Sequence, residues 1–328
     1  MHPHPTVSPW TIDGLVQQRG GPIVVPRQHA PLGRALPYRR VAGELPTYTS
    51  GADLIGDLGW SVAMGERGLG DVLLALGLVQ ALVDGTGHDS DLHYRGPRPR
   101  LMQRCQLPMT TTLAKGPHTV HTGHGTGLAF SAVPESPPVW LDVLDDEQVE
   151  VHAALPMRYY LAVEQTLGVR LPADRAPLPA FTSNERSRPF HVVFVSATSW
   201  PSRKDYGVGG FARVAAHLGE QFAAPWAFTL ITGTATNVEQ ASVAGVDVLA
   251  GLDAVDCLDV FASAEIVIGN DTGLTHLAAL TERADGTGPQ VIGLHGRHAH
   301  SKWTTGCPRH HAIATPFSHM LEIGRAHV

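Results

Sequence analysis

Short apolar runs alternate with amphipathic stretches from about residue 59 to residue 294. The runs are rich in Val, Ile and Leu, as in strands buried on both faces of a sheet, and the stretches between them repeat apolar residues at helical spacing. The pattern predicts strands at 59–64, 92–94, 119–121, 139–144, 191–195, 228–232, 248–252, 266–268 and 290–294, the last being the final strand. It predicts helices at 72–83, 98–105, 156–167, 211–222, 253–263 and 275–280. This alternation predicts an α/β protein with doubly wound parallel sheets.

A polar, proline-rich stretch at 171–189 divides the pattern into two series and predicts a linker. The predicted organisation is two Rossmann-like domains, 56–170 and 190–307, that face each other across a cleft. Residues 1–55 form an extra N-terminal lead-in without a clear period, and 308–328 form a C-terminal tail. The last seven residues, 322–328, match the translation of a common sequencing adapter, so we leave them out of the fold prediction.

The composition excludes several classes of protein. A chain of 328 residues with 43% hydrophobic and 16% charged residues has the material for two full-sized cores. The net charge of −6 argues against a general nucleic-acid binder, and no apolar run approaches the ~20 residues of a transmembrane segment. Because the N-terminus lacks the basic segment and apolar core of a secretory signal, we predict a soluble cytoplasmic protein.

Cysteine and histidine form no recognisable metal-binding pattern. The cysteines are widely spaced, and we predict reduced thiols at Cys105, Cys257 and Cys307. Two groups of histidines lie among Gly and Thr without a carboxylate or cysteine beside them, which favours scattered surface or loop histidines over a zinc site: His118, His121 and His124, and His295, His298 and His300.

Residues 263–280 predict an anion site. Asn270, Asp271 and Thr272 follow a β-branched run and offer side chains that can cap a helix, Gly273 allows a turn, and helical spacing resumes at Thr275. A helix that opens after a strand presents unpaired backbone N–H groups at a positive dipole end, which suits phosphate. An ordinary capped helix is the alternative interpretation.

A second polar turn, G-E-R-G-L-G-D at 65–71, follows the first predicted strand. Its glycines do not have the GxGxxG spacing of a dinucleotide site. Asp71 is either a helix N-cap or a catalytic carboxylate, and the flanking Gly68 and Gly70 favour close approach of a substrate. Asp71, Lys204, Gly233 and Asp271 all follow predicted strands, and the carboxyl ends of strands are where ligands bind in such sheets.

Three segments resemble the ADP-heptose:lipopolysaccharide heptosyltransferase family, glycosyltransferases of family 9 with the GT-B fold. D-T-G-L-T-H-L at 271–277 is close to the family's nucleotide-diphosphate motif, and G-L-G-D-V-L-L-A-L at 68–76 resembles its N-terminal segment. The loop that contains Lys204 resembles the family's phosphate-binding lysine loop. The resemblance extends from about residue 59 to residue 296.

The resemblance implies a role for each matching residue. Asp71 would be the general base on the acceptor hydroxyl, beside the acceptor-side turn of Gly68 and Gly70. Lys204 would bind the donor diphosphate, although Trp200-Pro201 precedes this lysine where the family has Trp-Pro after it, so Arg203 is an alternative. The remaining donor-side roles are backbone N–H groups of Thr272, Gly273 and Leu274, the hydroxyl of Thr275, a turn fixed by Asp271, and nucleotide contacts from Gly233 and from Asn237 or Glu239.

The implied activity is inverting, metal-independent transfer of a heptose or related sugar from an ADP-sugar to an acceptor hydroxyl, with no cofactor. The acceptor is either a lipopolysaccharide core or a small natural product. Arg95, Arg98, Arg100 and Arg104 would meet an anionic acceptor or form a solvated helix face. Peripheral association with the inner membrane face stays open. The competing hypotheses are a non-catalytic nucleotide-sugar-binding protein and a nicotinamide-dependent oxidoreductase, and the missing GxGxxG counts against the latter.

Overall fold

The structure is a computed structural model that describes residues 23–24, 47–48, 60–64, 68–86, 92–107, 109–111, 118–122, 128–131, 139–140, 154–157, 159–160, 178–233, 245–296, 298 and 300–318. The chain divides into two compact units. The first unit comprises Met1–Arg67, Ala75–Gln103 and Leu107–Pro177, and the second comprises Gly68–Leu74, Arg104–Gln106 and Leu178–Val328.

The first unit contains a six-stranded sheet of order β5-β4-β6-β3-β7-β8 and a separate two-stranded antiparallel pair, β1 with β2. The amphipathic pattern of residues 72–83 becomes a longer helix, α1, and its first turns belong by their contacts to the second unit. The elements are β1 (Ile23–Val24), β2 (Thr47–Tyr48), β3 (Trp60–Met64), α1 (Leu69–Thr86), β4 (Leu92–Arg95), α2 (Pro99–Met102), β5 (Met109–Thr110), β6 (His118–Thr122), β7 (Leu128–Ser131) and β8 (Val139–Trp140).

This sheet corrects the prediction that both sheets are parallel throughout. Strands β3, β4, β5 and β6 pair in parallel, but β7 is antiparallel to β3, and β8 is antiparallel to β7. Only five residues separate β7 from β6, too few for the crossover that a parallel connection requires. Of the predicted helix at 156–167, residues 155–157, 159 and 160 are helical, and the rest lies outside the described residues.

The second unit contains a six-stranded, all-parallel sheet of order β12-β11-β10-β13-β15-β16. A short parallel pair, β9 with β14, lies apart from it. The elements are β9 (Phe181–Ser183), β10 (His191–Val195), α3 (Pro201–Lys204), α4 (Val208–Gln221), β11 (Ala227–Thr232), β12 (Val246–Ala250), α5 (Ala254–Ser263), β13 (Ile266–Asn270), α6 (Gly273–Leu280), β14 (Thr281–Arg283), β15 (Gln290–His295) and β16 (His310–Ala314).

Strand β10 is the centre of this sheet, and its continuous apolar run follows from that position. Val192 and Phe194 pack with Phe211 of α4 in the main core cluster. The intervening Val193 and Val195 are also fully buried, so both faces of the strand are covered. The strand was predicted with the correct bounds because a strand buried on both faces leaves no polar position to blur the pattern.

Two differences from the predicted boundaries concern the ends of this unit. Residues 290–294 do not form the final strand, because β16 in the predicted tail pairs in parallel with β15. The predicted linker contributes β9, which pairs with β14. The segment H-H-A-I-A shows neither a regular alternation nor a continuous apolar run, so its pattern does not predict a strand. An edge strand can lack such a pattern, because it needs only one protected side.

None of the three cysteines takes part in a disulfide, as predicted. None of the described helices combines the length and apolar character needed to cross a bilayer.

Candidate functional site

The carboxyl ends of β10 and β13 lie side by side where the strand order of the parallel sheet reverses. The chain proceeds from β10 outward through β11 to β12, and it then returns to the other side of β10 to form β13. Such a switch point leaves a crevice beyond the strand ends in which ligands bind. The loop after β10 carries Lys204 and the turn after β13 carries Asp271, so the fold brings together two segments that are far apart in sequence.

Asn270, the last residue of β13, holds the lysine loop in place. Its side chain is fully buried, and its amide nitrogen donates to the carbonyl of Ser196 at 3.1 Å and to the carboxylate of Asp205 at 3.0 Å. Its amide oxygen accepts from the backbone N–H of Tyr206 at 3.0 Å. We predicted Asn270 as a capping residue, and this is wrong, because the side chain clamps the loop on both sides of Lys204 instead.

Lys204 forms an ion pair with Asp271, with 2.8 Å between Nζ and Oδ2. The carboxylate of Asp271 is buried, whereas one fifth of the lysine side chain remains exposed. Burial acts to raise the pKa of the Asp271 carboxyl, but the neighbouring His276 and Lys204 lower this pKa below its ordinary value. The ion pair therefore holds the ammonium group of Lys204 at the edge of the crevice, and part of the lysine side chain faces solvent.

Arg203 has a different position from Lys204. Its side chain is exposed, and its guanidinium carbon lies 4.5 Å from the centroid of the Trp200 ring, as in a cation–π contact. Both residues belong to the one-turn helix α3, which begins after Trp200 inside the loop that we predicted as irregular. Of the two cations, Lys204 is the one that the structure holds against the turn after β13.

Helix α6 begins at Gly273, directly after the turn, and supplies a helix N-terminus beside Lys204. Thr272 is its N-cap residue, but the Thr272 side chain makes no capping hydrogen bond. The first N–H groups of a helix have no partner within it, so the backbone N–H groups of Gly273 and Leu274 are available to an anion. The hydroxyl of Thr275 is not, because it is buried and donates to the carbonyl of Asn270 at 2.7 Å.

The turn that carries Asp71 contacts the start of α6. A Cβ atom added to Gly70 would lie 3.1 Å from Cδ2 of His276 and 3.3 Å from Cα of Gly273. A Cβ atom added to Gly273 would collide with the backbone nitrogen of Gly70, and it would lie 2.8 Å from Cβ of Leu69. The close approach of two backbones therefore requires Gly273, and it leaves little room for a side chain at Gly70.

Asp71 is the third residue of α1, so it is not the N-cap of that helix. It is half-buried, and a Cβ atom added to Gly68 would lie 3.6 Å from its Oδ2 atom. By its contacts the segment Gly68–Leu74 belongs to the second unit. The predicted base thus shares a unit with Lys204 and Asp271, although we had assigned it to the N-terminal domain.

The predicted nucleotide contacts are described only in part. Gly233 follows β11 and is exposed, and a Cβ atom added to it would lie 4.0 Å from Cβ of Ala197 in the loop after β10. Asn237 and Glu239 lie outside the described residues, so the choice between them stays open.

His295 is buried at the end of a strand, which corrects our prediction of a surface or loop position for this residue, whereas His298 and His300 lie in a partly exposed loop as predicted. His295 ends β15 with only 2% of its surface exposed, and His276 in α6 has 4%. The rings of His276 and His310 are 5.7 Å apart. The side chains of His118, His121 and His124 lie outside the part of the chain that the structure describes. Among the residues that the structure describes, no group of three or more His, Cys, Asp or Glu side chains could hold a metal ion.

Burial makes these histidines weaker bases. It lowers the pKa of His276 to about 4, although the nearby Asp271 acts in the opposite direction. Burial likewise lowers the pKa values of His295 and His310. The histidines are therefore neutral near pH 7, and Lys204 is the cation that compensates Asp271.

Sequence reasoning missed Asn270 as a clamp and His276 as a neighbour of Asp271. A polar residue at the end of a fully apolar strand is a signal for the first, because a buried amide needs partners. His276 lies between Thr275 and Leu277 on a short helix, where periodicity alone does not separate a buried from an exposed position.

The fold and the site together define a class of protein. The second unit has the strand order 3-2-1-4-5-6 of a Rossmann-like domain, and its switch point holds a lysine and a free helix N-terminus, as in domains that bind nucleotide phosphates. The model of glycosyltransferase family 9 (heptosyltransferase) matches residues 138–326, more than half of the chain. The chain belongs to this family and is a glycosyltransferase. No curated protein sequence matches it.

Solved structures show the same GT-B fold at low sequence identity. The E. coli ADP-heptose LPS heptosyltransferase II is 15% identical, with a TM-score of 0.50 over 80% of this chain and 97% of that one. The E. coli heptosyltransferase WaaC with ADP is 14% identical, with a TM-score of 0.51 over 78% and 93%. A family 9 glycosyl transferase from Veillonella parvula is 12% identical, with a TM-score of 0.52 over 80% and 87%.

Proposed function

We propose that this glycosyltransferase moves a heptose or a related sugar from an ADP-sugar to an acceptor hydroxyl, with inversion at the anomeric carbon and without a metal ion. The observation that carries the proposal is the convergence of Lys204, the N-terminus of α6 and the Asp71 turn within one compact unit.

The donor side supports departure of a diphosphate. Bond breaking at an anomeric carbon leaves negative charge on the leaving phosphate, and that charge requires fixed positive partners. Lys204 offers an ammonium group, and the N–H groups of Gly273 and Leu274 offer the positive end of a helix. Asn270 keeps the lysine loop in place before the donor arrives, which reduces the reorganisation that the reaction needs.

The acceptor side supports general-base catalysis by Asp71. A base has to reach the attacking hydroxyl within hydrogen-bond distance, and it has to be accessible. Asp71 is half-buried, and its turn touches Gly273 at the start of the donor helix. A single attack from the Asp71 side on a sugar whose diphosphate leaves toward Lys204 inverts the anomeric centre.

The solved structures support ADP as the nucleotide, because WaaC was solved with ADP and with ADP-2-deoxy-2-fluoro heptose. The acceptor is either a lipopolysaccharide core or a small natural product. Of the arginines that would meet an anionic acceptor, Arg104 is ion-paired with Asp259 at 2.8 Å. This pairing reduces the local basic group and favours the small polar acceptor.

The test is release of ADP from ADP-heptose in the presence of each acceptor class, with product linkage determined by NMR. We expect turnover with one class and an inverted linkage in the product. Asp71→Ala should abolish turnover but leave donor binding intact. Donor binding without sugar transfer to any acceptor, in both wild type and Asp71→Ala, would favour the non-catalytic alternative.

A further inference from the structure

The buried His276 and His295 and the half-buried His310 lie near the Lys204–Asp271 ion pair, and several of their ring nitrogens have no hydrogen-bond partner among the described residues. We call His276, His295 and His310 the histidine cluster. The unpartnered atoms are Nδ1 of His276, both ring nitrogens of His295 and Nε2 of His310. Buried polar atoms are nearly always paired, so such a cluster requires a physical explanation.

His276 is the member of the cluster that faces Asp271. Its Nε2 atom lies 4.0 Å from Oδ1 of Asp271, while Lys204 occupies the other carboxylate oxygen, Oδ2, at 2.8 Å. The buried carboxylate thus has a cation on one oxygen and a neutral imidazole on the other. A buried carboxylate needs a positive partner, and His276 lies close enough to Asp271 to replace Lys204 in that role.

A bound diphosphate changes this balance, and here the inference rests on the proposed function. Lys204 has part of its side chain exposed, so it is able to turn from Asp271 toward a phosphate. The phosphate brings further negative charge to the N-terminus of α6, the helix that contains His276. Both changes favour the protonated form of an imidazole beside Asp271.

We propose that His276 takes up a proton from solvent when a nucleoside diphosphate draws Lys204 away from Asp271, so that donor binding is coupled to proton uptake. The proton adds to the neutral imidazole and forms an imidazolium, which then compensates Asp271. His276 acts as a positioning residue, because it holds the charge of Asp271 in balance while Lys204 serves the donor.

The groups around His276 divide into two sets. One carboxylate favours protonation, that of Asp271 on the turn after β13. Burial is the largest cause that opposes it, and Lys204 of α3, His295 of β15 and His310 of β16 oppose it as well. Movement of the Lys204 charge to the phosphate therefore removes a cation that opposes protonation of His276.

The test is isothermal titration calorimetry of the full chain with ADP-glucose in two buffers of different ionisation enthalpy. ADP-glucose is preferable to ADP, because a terminal phosphate titrates near pH 6 itself whereas the pyrophosphate diester does not. Burial still opposes the charged form when the donor is bound, so the pKa of His276 should rise above about 4 and stay below its ordinary 6.5. We therefore expect uptake of a fraction of a proton per ligand at pH 5.5, and a Kd that is severalfold lower at pH 5.5 than at pH 8.

Matched variants assign the proton. His276→Gln and Lys204→Met should each abolish the uptake, since one removes the acceptor and the other removes the charge that moves. His217→Gln, at an exposed position on α4, should leave it unchanged. Should His276→Gln fail to fold, proton uptake by the wild-type protein and by Lys204→Met still tests the proposal.

ADP-glucose binding without proton uptake would overturn the inference and leave the proposed function intact, because Lys204 would then serve Asp271 and the phosphate together. Undiminished uptake in Lys204→Met would also overturn it. Absence of ADP-glucose binding at every pH would remove the proposed function, and the inference with it.

Discussion

Two turns of this protein share one local design and differ in their surroundings. Each carries an aspartate and a glycine where a strand gives way to a helix: Gly70 and Asp71 in the first turn of α1, and Asp271 just before α6 with Gly273 as the first residue of that helix. Asp271 is buried and paired with Lys204, whereas Asp71 is half-buried and forms no ion pair with another described residue. Burial and a cation make one carboxylate structural, and exposure leaves the other able to accept a proton.

Neutralising each aspartate separately is the most direct test of whether the two turns have different roles. We expect Asp71→Asn to lower kcat by about 10²–10⁴-fold, the usual contribution of a general base, with the thermal midpoint unchanged. Asp271→Asn should instead cost about 2 kcal/mol of unfolding free energy, because Lys204 loses a charge-assisted hydrogen bond. Steady-state kinetics and thermal melts of both variants check this, with exposed Glu220→Gln as the control. Equal loss of stability in the two variants would mean that the turns do not differ in role.

Low pH should lower the free energy of unfolding through His276, the buried neighbour of Asp271. The pKa of His276 is about 4 in the folded protein against 6.5 in the unfolded chain. The unfolded state therefore binds the proton more readily, so this contribution to stability is complete above pH 6.5 and is lost as the pH falls to about 4. The loss should reach about 3 kcal/mol.

Urea denaturation of the ligand-free protein between pH 7.5 and pH 4.5 measures this effect. The free energy of unfolding should depend less on pH in His276→Gln than in wild type, and its pH dependence should be unchanged in His217→Gln. The same pH dependence in wild type and His276→Gln would contradict the buried, neutral state of His276.

The two cations of α3, Lys204 and Arg203, can be compared as ligands of the donor phosphate. Lys204→Met should raise the Kd for an ADP-sugar about tenfold to a hundredfold, the range for loss of a charge-assisted hydrogen bond. Arg203→Met should change it about twofold or less, since an exposed charge is screened. Titration calorimetry of both variants checks this, and the reverse order would restore Arg203 as the phosphate ligand.

The smallest effect concerns the contact that joins the two turns. Gly273→Ala has no room beside Gly70, so it should cost about 1–3 kcal/mol and lower activity. Gly219→Ala is the matched control, because Gly219 also lies in a helix but has nothing within 4 Å of an added Cβ. That variant should be stabilised by about 0.5–1 kcal/mol. Thermal melts compare the two, and a neutral Gly273→Ala would mean that the turns are not in contact.

Much of the second unit could be predicted from its sequence. Strand β10 and helix α5 have the predicted bounds to within one residue, because one is apolar throughout and the other opens with Asp253 as a true N-cap. The polar turn between β13 and α6 was also predictable, since a polar turn between strand and helix is a local feature. Strand β16 was not, because an exposed edge strand needs only one partner and shows no period.

The sequence by itself determined the alternation of strands and helices, the residues of the two turns and the resemblance to a heptosyltransferase. Tertiary structure decided which cation meets Asp271, how Asn270 clamps the lysine loop, and that His295, expected at the surface or in a loop, is buried. The physical reason is the distance along the chain over which each effect acts. Periodicity and capping act within a few residues, whereas burial and ion pairing depend on neighbours that only the folded chain brings together.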